Sequence, residues 1–283
     1  MGGLRMRVSR LTSSVGAQVD GVELTAIDDA EVGRIRAELH EHGVLVFRDQ
    51  TMSREDQLSF TARLGPVHGH PVQEFLRGEG DPFGIVENDA NKPPQDSQNF
   101  HVDYSFNREI PDLAVLRAEV VPPRGGDTIW SSAAAAYDAM SSRLKGMLEG
   151  LMALHEAGEK FWFEMRRTLG DDAANRARAQ FDGNRHPITG PHPYTGRMVL
   201  FVNPGYTTRI DELTTSESTG LLAMLFAHVN NPAFHYRHRW LPGDVVIWDE
   251  HQTTHMGPND FYPAERRLTR LTAGRNTPCA KVA

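Results

Sequence analysis

A chain of 283 residues has room for one large domain or two small ones. Its 39% hydrophobic content and four Trp supply a real core, which excludes disorder as the main state. Thirty Lys+Arg against 37 Asp+Glu leave a net charge of −7, and no basic run is dense enough for nucleic acid or an anionic membrane surface, so the expected partner is a small molecule met by a few local positive charges.

A lone Cys279 can form no intrachain disulfide, which points to a reducing compartment and a bystander thiol. Two Arg lie within the first eight residues, but no apolar run follows them, so no secretory signal is visible. Met6 stands where a myristoylation signal starting at Gly2 needs Ser or Thr. No apolar stretch approaches the ~18 residues of a spanning helix. The chain is expected to be cytoplasmic.

In chain order, Asp28 and Asp29 precede a pattern that puts Val32, Ile35 and Leu39 on one helical face and stops at Gly43. Residues 44–47 read as a short apolar strand. Ser53 and Asp56 make a capping-box start to a second helix, which Gly65 ends. Residues 76–97, rich in Gly, Pro, Asp and Asn, are expected to be loop around a short strand at 85–87. Residues 113–121 alternate as a strand, and a Pro-Pro-Arg-Gly-Gly-Asp turn leads into the strand Thr128-Ile129-Trp130. Residues 131–151 are Ala-rich and helical, whereas 154–185 mix charge and aromatics without a clear period and are expected as a mobile insertion. Strands resume at 198–202, and a helix at 217–229 turns Leu221, Leu222, Leu225 and Phe226 inward. Pro242-Gly243-Asp244 announces the strand 245–248, and 267–272 is the last strand. Helices gathered at the N-terminus and as insertions, with short strands throughout, make an α+β pattern. A double-stranded β-helix (jelly-roll) core with N-terminal helices and helical insertions fits it best. No long linker or repeat divides the chain, so residues 1–283 are expected to form one domain.

There is no Gly-x-Ser-x-Gly elbow and no Walker A run, and Gly78, Gly80 and Gly84 miss the dinucleotide spacing. His101-Val102-Asp103 is more informative. On an extended strand, residues two apart face the same way and can reach one metal ion. Alone the pair is cheap, since a chain with 13 His holds about one such match by chance, and an exposed polar pair is the plainer account. The run Trp248-Asp249-Glu250-His251-Gln252-Thr253-Thr254-His255 changes the odds, because it follows a turn-bounded apolar strand and offers a second imidazole. Two imidazoles and a carboxylate on one face of an octahedron hold Fe(II) and leave the other face to a chelating cosubstrate and O₂. Further on, Arg266 and Arg270 share a strand parity and make a bidentate clamp for carboxylates. Aimed into an iron pocket they imply a dianion such as 2-oxoglutarate; otherwise they are a solvated basic strand edge.

These residues stand in a wider set. His101-x-Asp103 with Phe106, PPRGGDTIWSS, LFVNPGYTTRI, PGDVVIWDE, Thr253-x-His255, the Arg266/Arg270 pair, and GAQVDGVEL and VLVFRDQTMSREDQLSFTARLGPVHGHP near the start are all present. Over residues 14 to 275 the chain resembles the taurine dioxygenase (TauD/TfdA) family of Fe(II)/2-oxoglutarate dioxygenases. The resemblance implies His101, Asp103 and His255 as iron ligands, and Thr128 and Arg266 on the distal carboxylate of 2-oxoglutarate. It places Arg270 by the other carboxylate and the anionic end of the substrate, and His70 on a substrate sulfonate. His68 and His251 match no role and are expected at the pocket edge or surface. In taurine-specific members the amine end meets a tyrosine and an asparagine; here Gln73 and Ser97 stand at those positions. Tyr104, Phe106 and Tyr206 give the remaining pocket outline.

The chemistry implied is oxidative decarboxylation of 2-oxoglutarate to succinate and CO₂, coupled through Fe(II) and O₂ to hydroxylation of a small anionic substrate, taurine or a related sulfonate. An alkyl sulfate, an aryloxy acid or an amino-acid-derived carboxylate is the alternative substrate. A non-catalytic metal-binding jelly-roll module is the rival from another class; it has no reason to keep Thr128, Arg266 and Arg270 together. Asp103 disfavours a halogenase, which gives up the carboxylate to admit chloride. The expected assembly is a homo-oligomer, a dimer or tetramer.

Overall fold

A strand that is apolar at every position needs cover on both faces, and two such runs lie side by side at the centre of this fold. The computed structural model describes residues 6–78, 80–93 and 99–279. The elements run β1 (Arg7–Arg10), β2 (Ala17–Asp20), α1 (Asp29–His42), β3 (Val44–Phe47), α2 (Arg54–Leu64), β4 (Val67–His68), α3 (Pro71–Arg77) and β5 (Gly84–Asn88). Next come β6 (Leu113–Val120), β7 (Thr128–Ser132), α4 (Ala133–Ala139), α5 (Ser142–Leu148), β8 (Met152–His155), α6 (Gly158–Leu169), α7 (Asp171–Gln180) and β9 (Asn184–Pro187). The remainder is β10 (Thr189–Pro191), β11 (Met198–Leu200), β12 (Thr207–Ile210), α8 (Thr215–Val229), β13 (His235–His238), β14 (Val245–Asp249), β15 (Thr253–Met256) and β16 (Arg266–Ala273).

Among the described residues the larger sheet has the order β1-β2-β3-β14-β6-β16-β4, with β5 also on β16. The sheet β13-β7-β15 is separate from it. Side-chain alternation sorts the central strands between two cores. Leu45 and Phe47 of β3 and Val245 and Ile247 of β14 join Ile35 and Leu39 of α1 and Phe60 of α2 in one. Val44, Val46, Val246 and Trp248 join Trp130 of β7, Tyr236 of β13 and Leu268 of β16 in the other, which lies between the two sheets. Leu45→Ala is therefore expected to cost about 2–5 kcal/mol, because the site is closed on all sides and cannot collapse around the deletion. A urea midpoint unchanged from wild type would show that this position is not core.

The starts of α1 and α2 are where the sequence places them, and α8 starts at Thr215, two residues before the expected 217. Asp28 with Glu31, Ser53 with Asp56 and Thr214 with Glu217 each form a reciprocal capping box. Gly43 ends α1 in the left-handed region at φ 70. In α8 the buried apolar residues are Leu222, Leu225 and Val229, with Leu221 and Phe226 at the margins.

Three expectations need correction. The helix expected over 131–151 is two, because Met140 turns extended and Ser141 caps α5 by accepting from the Leu144 N–H at 3.2 Å. Residues 71–77, part of them expected as loop, form α3, which opens on Pro71 as first helical residue. Residues 154–185 carry a helical hairpin, α6–α7, between the paired strands β8 and β9. Phe161, Trp162 and Met165 make one apolar face of α6, a helical period that the expectation passed over, whereas α7 turns in only Ala174 and Ala177. Among the described residues no helix is long and apolar enough to cross a membrane.

Candidate active site

His101 and His255 exchange both backbone hydrogen bonds, at 2.9 and 2.8 Å, as one isolated antiparallel bridge. Directly opposed residues carry their side chains on the same face, and the two rings stand 4.2 Å apart. The pair is not continued as a strand, contrary to the simplest reading of His-x-Asp. After Val102 the chain turns, and Tyr104 takes a left-handed φ of 57. Asp103 thus reaches the histidines from a turn, with its Oδ1 3.6 Å from His101 Nε2 and 3.9 Å from His255 Nε2.

Buried polar contacts fix that turn. Ser105 Oγ meets His155 Nδ1 at 3.1 Å and accepts from Asn203 Nδ2 at 3.2 Å, while Thr207 Oγ1 meets His155 Nε2 at 3.1 Å. Asn203 Oδ1 also accepts from the Tyr206 N–H at 2.9 Å, folding the 203–207 loop back against His101. A Cβ on Gly205 would sit 2.8 Å from the His101 Cβ, so only glycine lets the loop pass.

A metal ion needs imidazole lone pairs and an ionised carboxylate, and the hydrogen bonding at His101, the burial of His255 and the charge beside Asp103 bear on each in turn. His101 Nδ1 lies 3.1 Å from the Asn99 carbonyl, an acceptor only, so its proton is on Nδ1 and its lone pair on the Nε2 that faces Asp103. Burial and the neighbouring His101 hold the His255 imidazole well below its usual range, hence neutral; its Nδ1 is buried without a hydrogen-bond partner. Burial raises the Asp103 carboxyl, but the Arg270 guanidinium against both its oxygens outweighs that and keeps the group ionised. Beside it, Glu250 is pushed well above the usual carboxyl range by burial and by Asp103. Glu250 accepts the Asp103 N–H at 3.0 Å and the Trp248 indole N–H at 2.7 Å. The three donors fit one Fe(II)-sized ion in both atom type and protonation.

Arg270 donates Nη1 to both Asp103 oxygens, at 2.9 and 2.7 Å, and Nη2 to the Tyr104 hydroxyl at 2.9 Å. Arg266 lies two alternations back on β16 and is differently placed. It is 6% exposed, donates Nε to the Gly126 carbonyl at 2.9 Å, and approaches Thr128 Oγ1 at 3.5 Å. Trp240 Nε1 also donates to that hydroxyl, at 3.0 Å. Among the described residues Arg266 has no ion pair, because Asp127 and Asp260 pair with Arg237 at 2.6 and 3.2 Å. Burial lowers the guanidinium only to about 10, so it is still a cation at neutral pH. Gly126 is needed here, since a Cβ would come within 3.0 Å of the Arg266 Cδ. A buried cation with no carboxylate partner among the described residues, flanked by a hydroxyl, could hold the carboxylate of a ligand.

Of the other expected residues, His70, Tyr104, Phe106 and Tyr206 gather on the far side of the triad. His70 packs edge-on to Tyr104 at 4.9 Å, and Tyr206 stands 6.1 Å from His101 and 5.3 Å from Phe106. Gln73 is exposed on α3, one residue past buried Val72, and is not drawn into this group. Ser97 lies outside the described residues. His68 lines the rim of a cavity of about 600 Å³ bounded also by Glu74, Tyr104, Phe106 and Phe181. Sequence reasoning missed Glu250 and Phe161, which stacks on His70 at 6.1 Å. The Phe161-Trp162-Phe163 run in a charged stretch was the available signal for the second.

His251 is neither at the rim nor at the surface. It is buried, 3.0 Å from Asp112 Oδ1, in a second polar cluster. There Asp249 Oδ2 meets His192 Nε2 at 2.8 Å, His40 Nδ1 at 3.1 Å and Gln252 Nε2 at 3.1 Å. This resembles a second triad, but His192 Nδ1 accepts the Tyr194 and Thr195 N–H groups, both at 3.2 Å. Its proton therefore sits on Nε2 and points at Asp249, leaving no lone pair there for a metal. The cluster is a hydrogen-bonded brace between α1, the end of β14 and the 192–195 turn.

Two metal-ready imidazoles, a carboxylate and a buried arginine–threonine seat between two sheets define an enzyme of the 2-oxoglutarate-dependent dioxygenase class. The match to the family model "Taurine catabolism dioxygenase TauD, TfdA family" spans residues 7–272, and the chain belongs to that family. It is 33% identical to the alpha-ketoglutarate-dependent 2,4-dichlorophenoxyacetate dioxygenase of Cupriavidus pinatubonensis, over 90% of this chain and 93% of that protein. It is 30% identical to the alpha-ketoglutarate-dependent sulfate ester dioxygenase of Pseudomonas putida, over 97% of this chain and 91% of that one. The crystal structure of a taurine dioxygenase from Burkholderia xenovorans superposes with a TM-score of 0.81 at 30% identity, covering 98% of this chain and 91% of that one.

Proposed function

We propose that this protein hydroxylates a small anionic organic substrate, a sulfonate or a close relative of one, with Fe(II) held by His101, Asp103 and His255. The observation that carries this reading is the unpaired, buried Arg266 beside Thr128, on a scaffold that also brings three metal-ready side chains together. A non-catalytic metal module has no use for that cation. The fold reading that goes with it is a single domain over residues 1–283 with a double-stranded β-helix core, supported by the facing of the larger sheet and β13-β7-β15 across one apolar layer.

In this mechanism Fe(II) supplies redox chemistry and open coordination positions for 2-oxoglutarate and O₂. The chain does the rest. Arg266 and Thr128 grip the distal carboxylate of 2-oxoglutarate and fix its orientation. The Asn99 carbonyl holds His101 in one tautomer, and Glu250 holds the Asp103 backbone. Phe106, Phe161 and Tyr206 exclude water around the reacting C–H bond. Arg270 and His70 face the anionic end of the substrate.

The test is a panel of taurine, longer and amine-free sulfonates, alkyl sulfates and aryloxy acids, incubated with Fe(II) and 2-oxoglutarate, reading succinate and sulfite. With Gln73 exposed, its position offers taurine's ammonium no buried partner. An unpaired group costs about 1–3 kcal/mol, so taurine-dependent sulfite release is expected well below that with a longer or amine-free anion. Taurine emerging as the best of the panel overturns this. The names of the two curated relatives favour sulfate esters and aryloxy acids as the second reading, and the same panel separates them.

A further inference from the structure

Donors from three separate elements meet beside the triad: Arg270, which is engaged by Asp103 and Tyr104, and the Tyr104 hydroxyl and a His70 ring N–H, for which no acceptor is found among the described residues. Arg270 on β16 can only donate, so the Tyr104 hydroxyl 2.9 Å from its Nη2 serves as the acceptor of that bond. The phenolic proton is then left over, and among the described residues no acceptor receives it. His70 shows the same pattern. Its Nδ1 accepts the Val72 N–H at 3.2 Å and caps α3, which puts the ring proton on Nε2. Among the described residues Nε2 has no hydrogen-bond partner. The His70 and Tyr104 rings are 4.9 Å apart and inclined at 65°. Phe161 covers the outer face of His70, stacked within 5° of parallel, and Phe106 packs edge-on to Tyr104 at 6.4 Å.

Tyr104 is held to this task by its backbone. A bulky residue at φ 57 is uncommon and persists only where its surroundings over-determine it. Here the turn that delivers Asp103 to the histidines also swings the ring of residue 104 inward, 8% exposed, until its hydroxyl reaches Arg270.

We propose that Tyr104 is a specificity-determining residue, whose hydroxyl, polarised by Arg270, donates to the substrate's anionic headgroup together with Arg270 and His70 Nε2–H. The proposal rests on the anionic-substrate reading above and extends it. Donors arriving from two planes suit the three oxygens of a sulfonate or sulfate monoester, whereas a planar carboxylate engages two of them. Burial and the nearby Arg270 hold His70 at about 4, so this donor set keeps the same protons throughout the neutral range.

Tyr104→Phe keeps the ring and removes only the hydroxyl. Methanesulfonate, methyl sulfate and acetate are titrated calorimetrically into wild type and variant, with Co(II) affinity measured on each protein. The variant is expected to bind methanesulfonate and methyl sulfate about ten- to a hundred-fold more weakly, the value of one hydrogen bond to a charged group. Acetate is expected to lose much less, and Co(II) nothing. Equal sulfonate affinity in the two proteins overturns the role of Tyr104 and leaves the dioxygenase reading intact. A matching loss of Co(II) affinity also overturns it, because Tyr104 then acts only by steadying Arg270 on Asp103. Wild type that binds none of the three anions removes the seat itself, and with it the anionic substrate.

Discussion

Asp103→Ala is expected to bring metal binding and succinate formation to background and to destabilise the protein as well. Metal is lost because two imidazoles 4.2 Å apart remain as a two-ligand site, which rarely holds Fe(II). Stability is lost because Arg270, which gives Nη1 to both Asp103 oxygens, is left half-buried without its counter-ion. Removing one partner of a fully buried pair costs about 3–5 kcal/mol, and the 20% exposure of the Arg270 side chain puts the loss here below that. His255→Ala and His101→Ala separate the two effects, since each should abolish metal and turnover while leaving the Asp103–Arg270 pair in place. The checks are metal content after dialysis, succinate by chromatography and a urea midpoint for each variant. Full metal occupancy and activity in any of the three would show that the ligands are not these residues.

Arg266→Ala should raise the apparent KM for 2-oxoglutarate about ten- to a hundred-fold, the value of roughly 1.5–3 kcal/mol for a charge-assisted pair. Among the described residues that guanidinium meets the Gly126 carbonyl, the Thr128 hydroxyl and the face of Phe261, but no carboxylate. Removing it therefore breaks no internal ion pair, and the loss should fall on the cosubstrate rather than on folding. Initial rates at varied 2-oxoglutarate measure it. An unchanged KM would place the distal carboxylate elsewhere.

Much of this site is legible in the sequence because its parts are local. Val32, Ile35 and Leu39 fall on one face because α1 has a single buried side, and the caps of α1, α2 and α8 involve residues three apart. The β14 run is recognisable because a strand between two cores is apolar throughout. His101 and His255 could be brought together only through the chemistry of a two-histidine, one-carboxylate site and through the family resemblance, since a one-residue bridge leaves no period. The hold of Arg270 on Asp103 and the upward-shifted Glu250 carboxyl behind the Asp103 amide were not legible, because both arise from side chains more than a hundred residues apart in sequence. In the α6–α7 hairpin, α7 escaped for the opposite reason. Alanines at 174 and 177 pack closely but carry almost no hydrophobic signal.

Strand β14 has a consequence for how the molecule moves. Val245 and Ile247 lie in one core, Val246 and Trp248 in the other, and the next two residues brace the histidine cluster and the Asp103 amide. Such a strand cannot open by itself, because its release exposes both cores at once, so its amides should exchange with solvent only through global unfolding. The α6–α7 hairpin is held by far fewer buried side chains and belongs at the low end of the opening free-energy scale. Traffic of small molecules past Phe161 can therefore be frequent, while the three candidate ligands remain as persistent as the native state itself.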